Sequence, residues 1–291
     1  MSTDAAHTTK QPLVSVILPT LNSKGFIETC LDSLDAQSYT NIEIVGVDAR
    51  SNDGTAEIMA KRTTAHVFTI EPHMKWGTPY QDVFGAEQAR GEYLYFVDSD
   101  MVLPPNAIAT FVDQMEAGKA DALIVPEVSF GVGFWAACKV LERSAYVLGD
   151  SSVEAPRFMR KSVWEESGGY DPIMGGLLDW DFHKRLRDLG KVIIRGDIAV
   201  RHNEGVLTLK RLAKKKFTYG KSAGPYLSKH WRDREVATSQ FNLLRPVYFR
   251  NWRALVKDPI HAGGFFLMKT IEGAAFAAGF ASARMGARRR P

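Results

Sequence analysis

From residue 13 to residue 126 the chain repeats one pattern: a short β-branched or aromatic run, then a stretch whose apolar residues recur at helical spacing. Leu13-Val-Ser-Val-Ile-Leu18 stops at Pro19 and reads as a strand. Phe26 to Gln37, apolar at 27, 30, 31 and 34, reads as a helix. A strand at Asn41–Val47, a helix from Gly54-Thr55 to Ala60 and a strand at His66–Ile70 continue the pattern. A helix at Asp82–Ala89, a strand at Tyr93–Val97, a helix at Asn106–Glu116 and a strand at Ala122–Pro126 complete it. Strands joined through helices run parallel, and the helices cover both faces of the sheet. The expected fold class is therefore α/β, with a mostly parallel sheet flanked by helices.

In such a sheet ligands bind beyond the carboxyl ends of the strands. Three strand ends deliver polar residues: Thr20 and Asn22, then Asp48, then Asp98-Ser99-Asp100. Asp98 and Asp100 are spaced i, i+2, so both carboxylates leave the same side of an extended backbone. Two anions there repel unless a cation lies between or beyond them, and hard oxygen ligands favour Mg²⁺ or Mn²⁺ bridging to phosphates. Alone, the pair reads equally well as a solvated turn. Neither Gly-x-Gly-x-x-Gly nor Gly-x-x-x-x-Gly-Lys occurs, which argues against a dinucleotide site or a P-loop.

Five motifs then follow in order: Val14-Ser-Val-Ile-Leu-Pro-Thr-Leu-Asn22, Val47-Asp-Ala-Arg-Ser-Asn-Asp-Gly-Thr55, Phe96-Val-Asp-Ser-Asp100, Gly168-Gly-Tyr-Asp171 and Leu178-Asp-Trp-Asp-Phe-His-Lys-Arg-Leu186. Over about residues 13–205 the chain resembles the family 2 glycosyltransferases of GT-A fold. The resemblance implies a Rossmann-like sheet and one-step, inverting sugar transfer from a nucleotide sugar with Mn²⁺ or Mg²⁺. It implies that Pro19, Thr20 and Asn22 line the nucleotide pocket and that Asp48 accepts a hydrogen bond from the base. A carboxylate suits an imide N–H such as that of uracil, which favours a UDP-sugar. Asp98 and Ser99 are expected near the ribose, Asp100 with Asp98 and His202 at the metal, Arg157 at the diphosphate, and Asp179 as general base. A lone histidine and a lone arginine also have ordinary structural and surface readings. Asp53 reads as a turn and cap residue, and Asp181 as a partner of Arg185 at i+4. The chain departs from the family at Leu178, where an acidic residue usually precedes the base. It departs again at Gln81-Asp82-Val83-Phe84-Gly85, which replaces Ala-Arg-Asn-x-Gly, with Lys75 and Trp76 nearby as substitute donor contacts.

Charge divides the chain. From Gly205 onward there are 18 Lys and Arg against 4 Asp and Glu, leaving residues 1–204 at −10 within a chain total of +4. The expected organisation is a disordered N-terminus at 1–12, a nucleotide-sugar and catalytic domain at 13–205, and a basic, aromatic-rich helical extension at 206–291. Leu209, Leu212, Ala213 and Phe217 alternate with Lys210, Arg211, Lys214 and Lys215, which suits an anionic membrane surface. Tyr248-Phe-Arg-Asn-Trp-Arg253 adds interfacial aromatics. The apolar stretch 260–283 is interrupted by His261, Lys269 and Glu272, so a shallow helix or a helix–helix contact between copies is expected rather than a span. With no apolar signal segment near Met1 and only Cys30 and Cys138, the chain reads as cytoplasmic, peripheral on the inner membrane face, without a structural disulfide. The acceptor expected there is a lipid-linked saccharide. Competing readings are a metal-dependent nucleotidyltransferase and a non-catalytic nucleotide-sugar binder. A nucleic-acid-binding protein is disfavoured because the basic part carries no known nucleic-acid module.

Overall fold

The computed structural model describes residues 11–62, 64–75, 77–118, 120–146, 154, 156–230 and 252–288. Residues 1–10 of the expected disordered terminus, Trp76, 248–251 of the aromatic-basic stretch, and Arg289-Arg290 lie outside the described residues.

β1 (Val14–Thr20) runs through the middle of a seven-stranded sheet and is buried along its whole length. Its alternation serves two cores. Val14, Val16 and Leu18 pack on one face with Ile27, Leu31 and Leu34 of α1 (Lys24–Asp35) and Phe111 and Met115 of α4 (Ala107–Glu116). Ile17 faces the other side, among Ala86 of α3 (Thr78–Gln88), Trp164 of α6 (Lys161–Ser167) and Phe182 and Leu186 of α7 (Leu178–Asp188). β1 pairs parallel with β2 (Ile42–Asp48) and β4 (Tyr93–Phe96), and β2 with β3 (Ala65–Thr69). A five-residue α2 (Thr55–Met59) connects β2 and β3.

The other half of the sheet is mixed. β8 (Pro156–Arg160) lies antiparallel between β4 and β6 (Ala122–Ile124), and β6 pairs parallel with β9 (Ile193–Arg195). After β6 the chain leaves through β7 (Glu127–Val132) and α5 (Phe134–Tyr146), then re-enters the sheet in the opposite direction. A second sheet of three strands sets β10 (Val200–Val206) between β5 (Met101–Val102) and β7. Cys30 and Cys138 are buried and free.

The basic part folds as α8 (Leu209–His230), a short helix at Trp252–Lys257 and a final helix at Pro259–Arg288. The final helix packs along α8 and against α5. It crosses α8 at backbone contact: a methyl on Gly220 would strike the Phe276 carbonyl, and one on Gly279 the Phe217 carbonyl. Under the crossing lies a buried charged layer. Lys269 bonds Glu272 at 2.9 Å and Glu142 of α5 at 3.1 Å, and Lys139 bonds Glu142 at 2.8 Å. Phe265, Met268 and Glu272, the buried side of this stretch, therefore pack within their own chain. Among the described residues, no helix is long and apolar enough to cross a membrane.

Candidate active site at the strand ends

The parallel register sets Thr20 beside Asp48. Asp48 is buried and accepts from Thr20 Oγ1 at 2.9 Å, Ser51 Oγ at 2.6 Å and Ser51 N at 2.7 Å. A carboxylate offers about four acceptor positions, so these bonds fix the group and leave one position for a ligand. Asn22, at φ 51°, turns the β1 loop onto the β2 loop: its N–H donates to Ser51 Oγ at 2.8 Å and its Oδ1 accepts from Asn52 N at 3.1 Å. Asp53 accepts from the backbone of Lys24 and from Thr55, the turn-and-cap role its sequence context suggests. Gln81 Nε2 donates to the carbonyls of Thr20, at 2.9 Å, and Val47, at 2.6 Å, bracing the two strand ends from α3. Pro19 is buried inside β1 opposite Val47.

Beyond β4 the chain turns at Asp98 and enters β5, with Met101 N bonded to Asp98 O at 3.0 Å. β5 pairs with β10, Met101 opposite His202, and this pairing brings His202 to Asp100. His202 Nε2 lies 3.4 Å from Asp100 Oδ1, a buried oxygen with no hydrogen-bond partner. His202 Nδ1 is held at 2.8 Å by Glu127 Oε2. Burial opposes charge on His202, but Asp100 and Glu127 outweigh it and push its pKa up to about 10. Asp98 points elsewhere: its Oδ2 accepts from Arg157 Nη2 at 3.0 Å, and Arg157 Nε donates to Glu127 Oε1 at 3.0 Å. Arg143 Nη1 reaches Glu127 Oε2 at 3.2 Å. Glu127 is thus the hub of the cluster. Burial works against its charge, yet Arg157, Arg143 and His202 hold its carboxyl well below the usual range. Ser99 Oγ donates to Ser23 Oγ at 2.8 Å, tying the Asp98 turn to the start of α1.

For a divalent ion, the fit is partial and specific. Asp100 Oδ1 makes no hydrogen bond and faces His202 Nε2, and once His202 gives up its proton this oxygen–nitrogen pair suits Mn²⁺. No set of three metal-ligating side chains converges among the described residues. Asp98, expected beside Asp100, is engaged by Arg157. An ion at Asp100 and His202 would complete its shell with phosphate oxygens and water.

Asp179 opens α7 in its first turn and makes no hydrogen bond or ion pair among the described residues. Burial, with the charges of Asp98 and Glu127, raises its pKa to about 6 against the pull of Arg157 and Arg143. The loop before it depends on glycine. Gly175 has φ 50°, and Tyr219 and Ser222 of α8 fill the space that side chains on Gly176 and Gly175 would take. α8 therefore walls the crevice. Its Lys215 makes no ion pair among the described residues, stands 5.8 Å from the Tyr219 ring centroid, and acts electrostatically on Asp98 and Asp100. Asp181 is buried and bonded to Arg185, His230 and Lys229, each at 2.8 Å, so it locks α7 to the end of α8.

Four residues here escape sequence reasoning: Glu127, Arg143, Lys215 and Asp82. Asp82 is buried in α3, and burial together with Asp98 and Asp179 raises its pKa well above the ordinary value, Arg157 opposing. Its signal was available, because it stands where the resembling family carries arginine.

The sequence profile of the family described as Glycosyl transferase family 2 matches residues 15–146. Glycosyltransferase GlyG of Streptococcus pneumoniae serotype 4 is 32% identical over 114 residues, 38% of this chain and 38% of that protein. The GalNAc(5)-diNAcBac-PP-undecaprenol beta-1,3-glucosyltransferase of Campylobacter jejuni serotype O:2 is 29% identical over 112 residues, 38% of this chain and 36% of that protein. The chain thus spans well under half the length of these curated relatives. The mannosyltransferase PcManGT of Pyrobaculum calidifontis, solved with GDP-Man and Mn²⁺, superposes with a TM-score of 0.58 at 20% identity, covering 95% of this chain and 76% of that one. At that identity the likeness establishes the fold: an α/β sheet flanked by helices, of GT-A type.

Proposed function

With residues 15–146 a glycosyl transferase family 2 segment, we propose that the chain is an inverting glycosyltransferase. It would move a sugar from a nucleotide-sugar donor, a UDP-sugar first, to a hydroxyl or phosphate of a lipid-linked saccharide. The observation that carries this reading is Asp179: a carboxylate in the first turn of α7 with no hydrogen bond among the described residues, whose pKa burial raises to about 6 against the pull of Arg157, with Asp98 adding to the rise. A general base needs this combination of proton affinity and an uncommitted oxygen.

The remaining residues take consistent roles. Asp48, with one acceptor position left, reads the base, while Thr20, Asn22 and Gln81 hold it in place. Arg157 holds Asp98 and Glu127 in register. Asp100 and His202 would hold a divalent ion, which when bound neutralises charge building on the departing diphosphate. Lys215, across the crevice, adds a positive charge to the same oxygens. Asp179 takes the proton of the acceptor hydroxyl as it attacks the anomeric carbon from the side opposite the leaving group. The Campylobacter relative's name specifies an undecaprenyl-diphosphate-linked substrate, and that supports a lipid-linked acceptor here.

The test is release of nucleoside diphosphate from a panel of UDP-, GDP- and dTDP-sugars with Mn²⁺, with and without lipid-linked saccharide. One donor should turn over, and Asp179→Asn should lose turnover while still binding nucleotide. Release of pyrophosphate instead, or equal turnover in the variant, would sink the reading.

A further inference from the structure

The second sheet, α5 and the C-terminal helices meet at one end of the molecule, around the small cluster Cys138, Leu212, Phe265 and Met268. Trp135, Leu207, Leu209 and Leu255 pack against that cluster. His261 lies over Phe134, ring centroids 5.1 Å apart, and Gly264 fits against Phe134 and Cys138. Outside this small core, large apolar side chains are left in water. Val132 and Val206, paired across β7 and β10, are 72% and 66% exposed. Trp252, Val256 and Ile260 follow at four-residue spacing and are 56%, 66% and 72% exposed. Isolated exposed apolar residues are ordinary, but these adjoin one small core, Val206 next to Leu207 and Trp252 and Val256 around Leu255, and a group gathered there marks an interaction surface.

The rim of the surface identifies its partner. Lys210 and Arg211 flank it on α8, and Arg253 and Lys257 on the short helix, all exposed. Residues 205–232 contain no acid, and the sole acid of 252–271, Asp258, is bonded to His261 at 2.7 Å. Arg253 lies 5.8 Å from the ring centroid of its neighbour Trp252. Apolar side chains ringed by cations, with an interfacial tryptophan, match the boundary between lipid headgroups and acyl chains.

We propose that Val132, Val206, Trp252, Val256 and Ile260 insert into an anionic phospholipid membrane, with Lys210, Arg211, Arg253 and Lys257 on its headgroups. This narrows the sequence expectation of a membrane-contacting extension to the short helix, the start of the final helix and the β7–β10 edge. The surface stands without the catalytic reading. If that reading also holds, Val206 follows His202 by four residues on β10, at most about 13 Å since the strand is irregular after Asn203, so a phosphate head could reach the crevice while its lipid stays in the membrane.

The experiment is co-sedimentation of the full chain with vesicles of phosphatidylcholine, alone or with phosphatidylglycerol, at low and high salt. Wild type should sediment with the anionic vesicles at low salt and dissociate as salt rises. The double variant Val256→Asp, Ile260→Asp should bind about tenfold more weakly or worse, because charge replaces exposed apolar surface, with an unchanged melting temperature. Absence of wild-type binding at low salt, or equal binding by the variant, overturns the proposal. So does a dimer in light scattering that the variant abolishes while vesicles bind neither protein, since the surface then faces a second copy. Nucleotide binding by the same preparation separates failure here from failure of the catalytic reading.

Discussion

Glu127→Gln removes a carboxylate that touches Arg157, Arg143 and His202 at once. The replacement keeps the shape and removes the charge. Hydrogen bonds to charged groups contribute roughly 1.5–3 kcal/mol each, so three lost together set an upper bound near 4.5–9 kcal/mol. Arg157 keeps Asp98 and His202 keeps Asp100, which lowers the figure to the range for stripping one partner from a buried pair, about 3–5 kcal/mol. At roughly 2 °C per kcal/mol for a chain of this size, the melting temperature at pH 7 should fall by about 6–10 °C. The pH dependence has a definite sign. The Glu127 carboxyl is held below its ordinary value, so its stabilisation is complete above about pH 4.3 and fades as pH falls further. Wild type and variant should therefore differ most at neutral pH and converge in acid. Melts from pH 7 to pH 3 read both effects. A fall of less than about 2 °C at pH 7, or a gap that widens in acid, would refute the hub role of Glu127.

Asp179→Asn should lower turnover by about 10²- to 10⁴-fold with nucleotide affinity retained, measured by product release and calorimetry. Because the base acts ionised and its pKa is about 6, kcat/KM of the wild type should fall below that pH with unit slope. Lys215→Ala should weaken nucleoside diphosphate binding about tenfold in equilibrium titration and leave the melting temperature unchanged, since Lys215 makes no ion pair among the described residues. Gly279→Ala should destabilise by about 1–3 kcal/mol in denaturant titration, because the added methyl meets the Phe217 carbonyl and forces α8 from the final helix.

Local pattern carried the first half of the sheet well. The strands expected at Leu13–Leu18, Asn41–Val47 and Tyr93–Val97 match β1, β2 and β4 to within a residue or two, because buried parallel strands write continuous apolar runs. The helix expected at Asp82–Ala89 begins earlier, at Thr78, since Pro79 fits the first helical turn and apolar spacing does not register it. The antiparallel entry of β8 was invisible, because strand direction depends on where the chain returns from and not on the strand's own residues. The same holds in the site. Thr20, Asn22, Asp48 and the Asp98 turn stand at strand ends, where sequence places them. Glu127 and His202 lie 75 residues apart and meet only through the second sheet, and Lys215 arrives on a helix whose charge pattern pointed to a membrane. Asp98 is the instructive case. Its spacing from Asp100 suggested metal ligation, and Arg157 from β8, which that spacing does not forecast, donates to one of its two oxygens.

Whether the strand-end crevice binds a nucleoside diphosphate through Asp100 is best tested by calorimetric titration of UDP, GDP and dTDP into the chain, with and without Mn²⁺, alongside Asp100→Ala. One nucleotide, UDP first, should bind more tightly with Mn²⁺, and the variant should lose that gain. No binding by any of the three to folded protein, or a Mn²⁺ effect that survives loss of the Asp100 carboxylate, would contradict the assignment of this site.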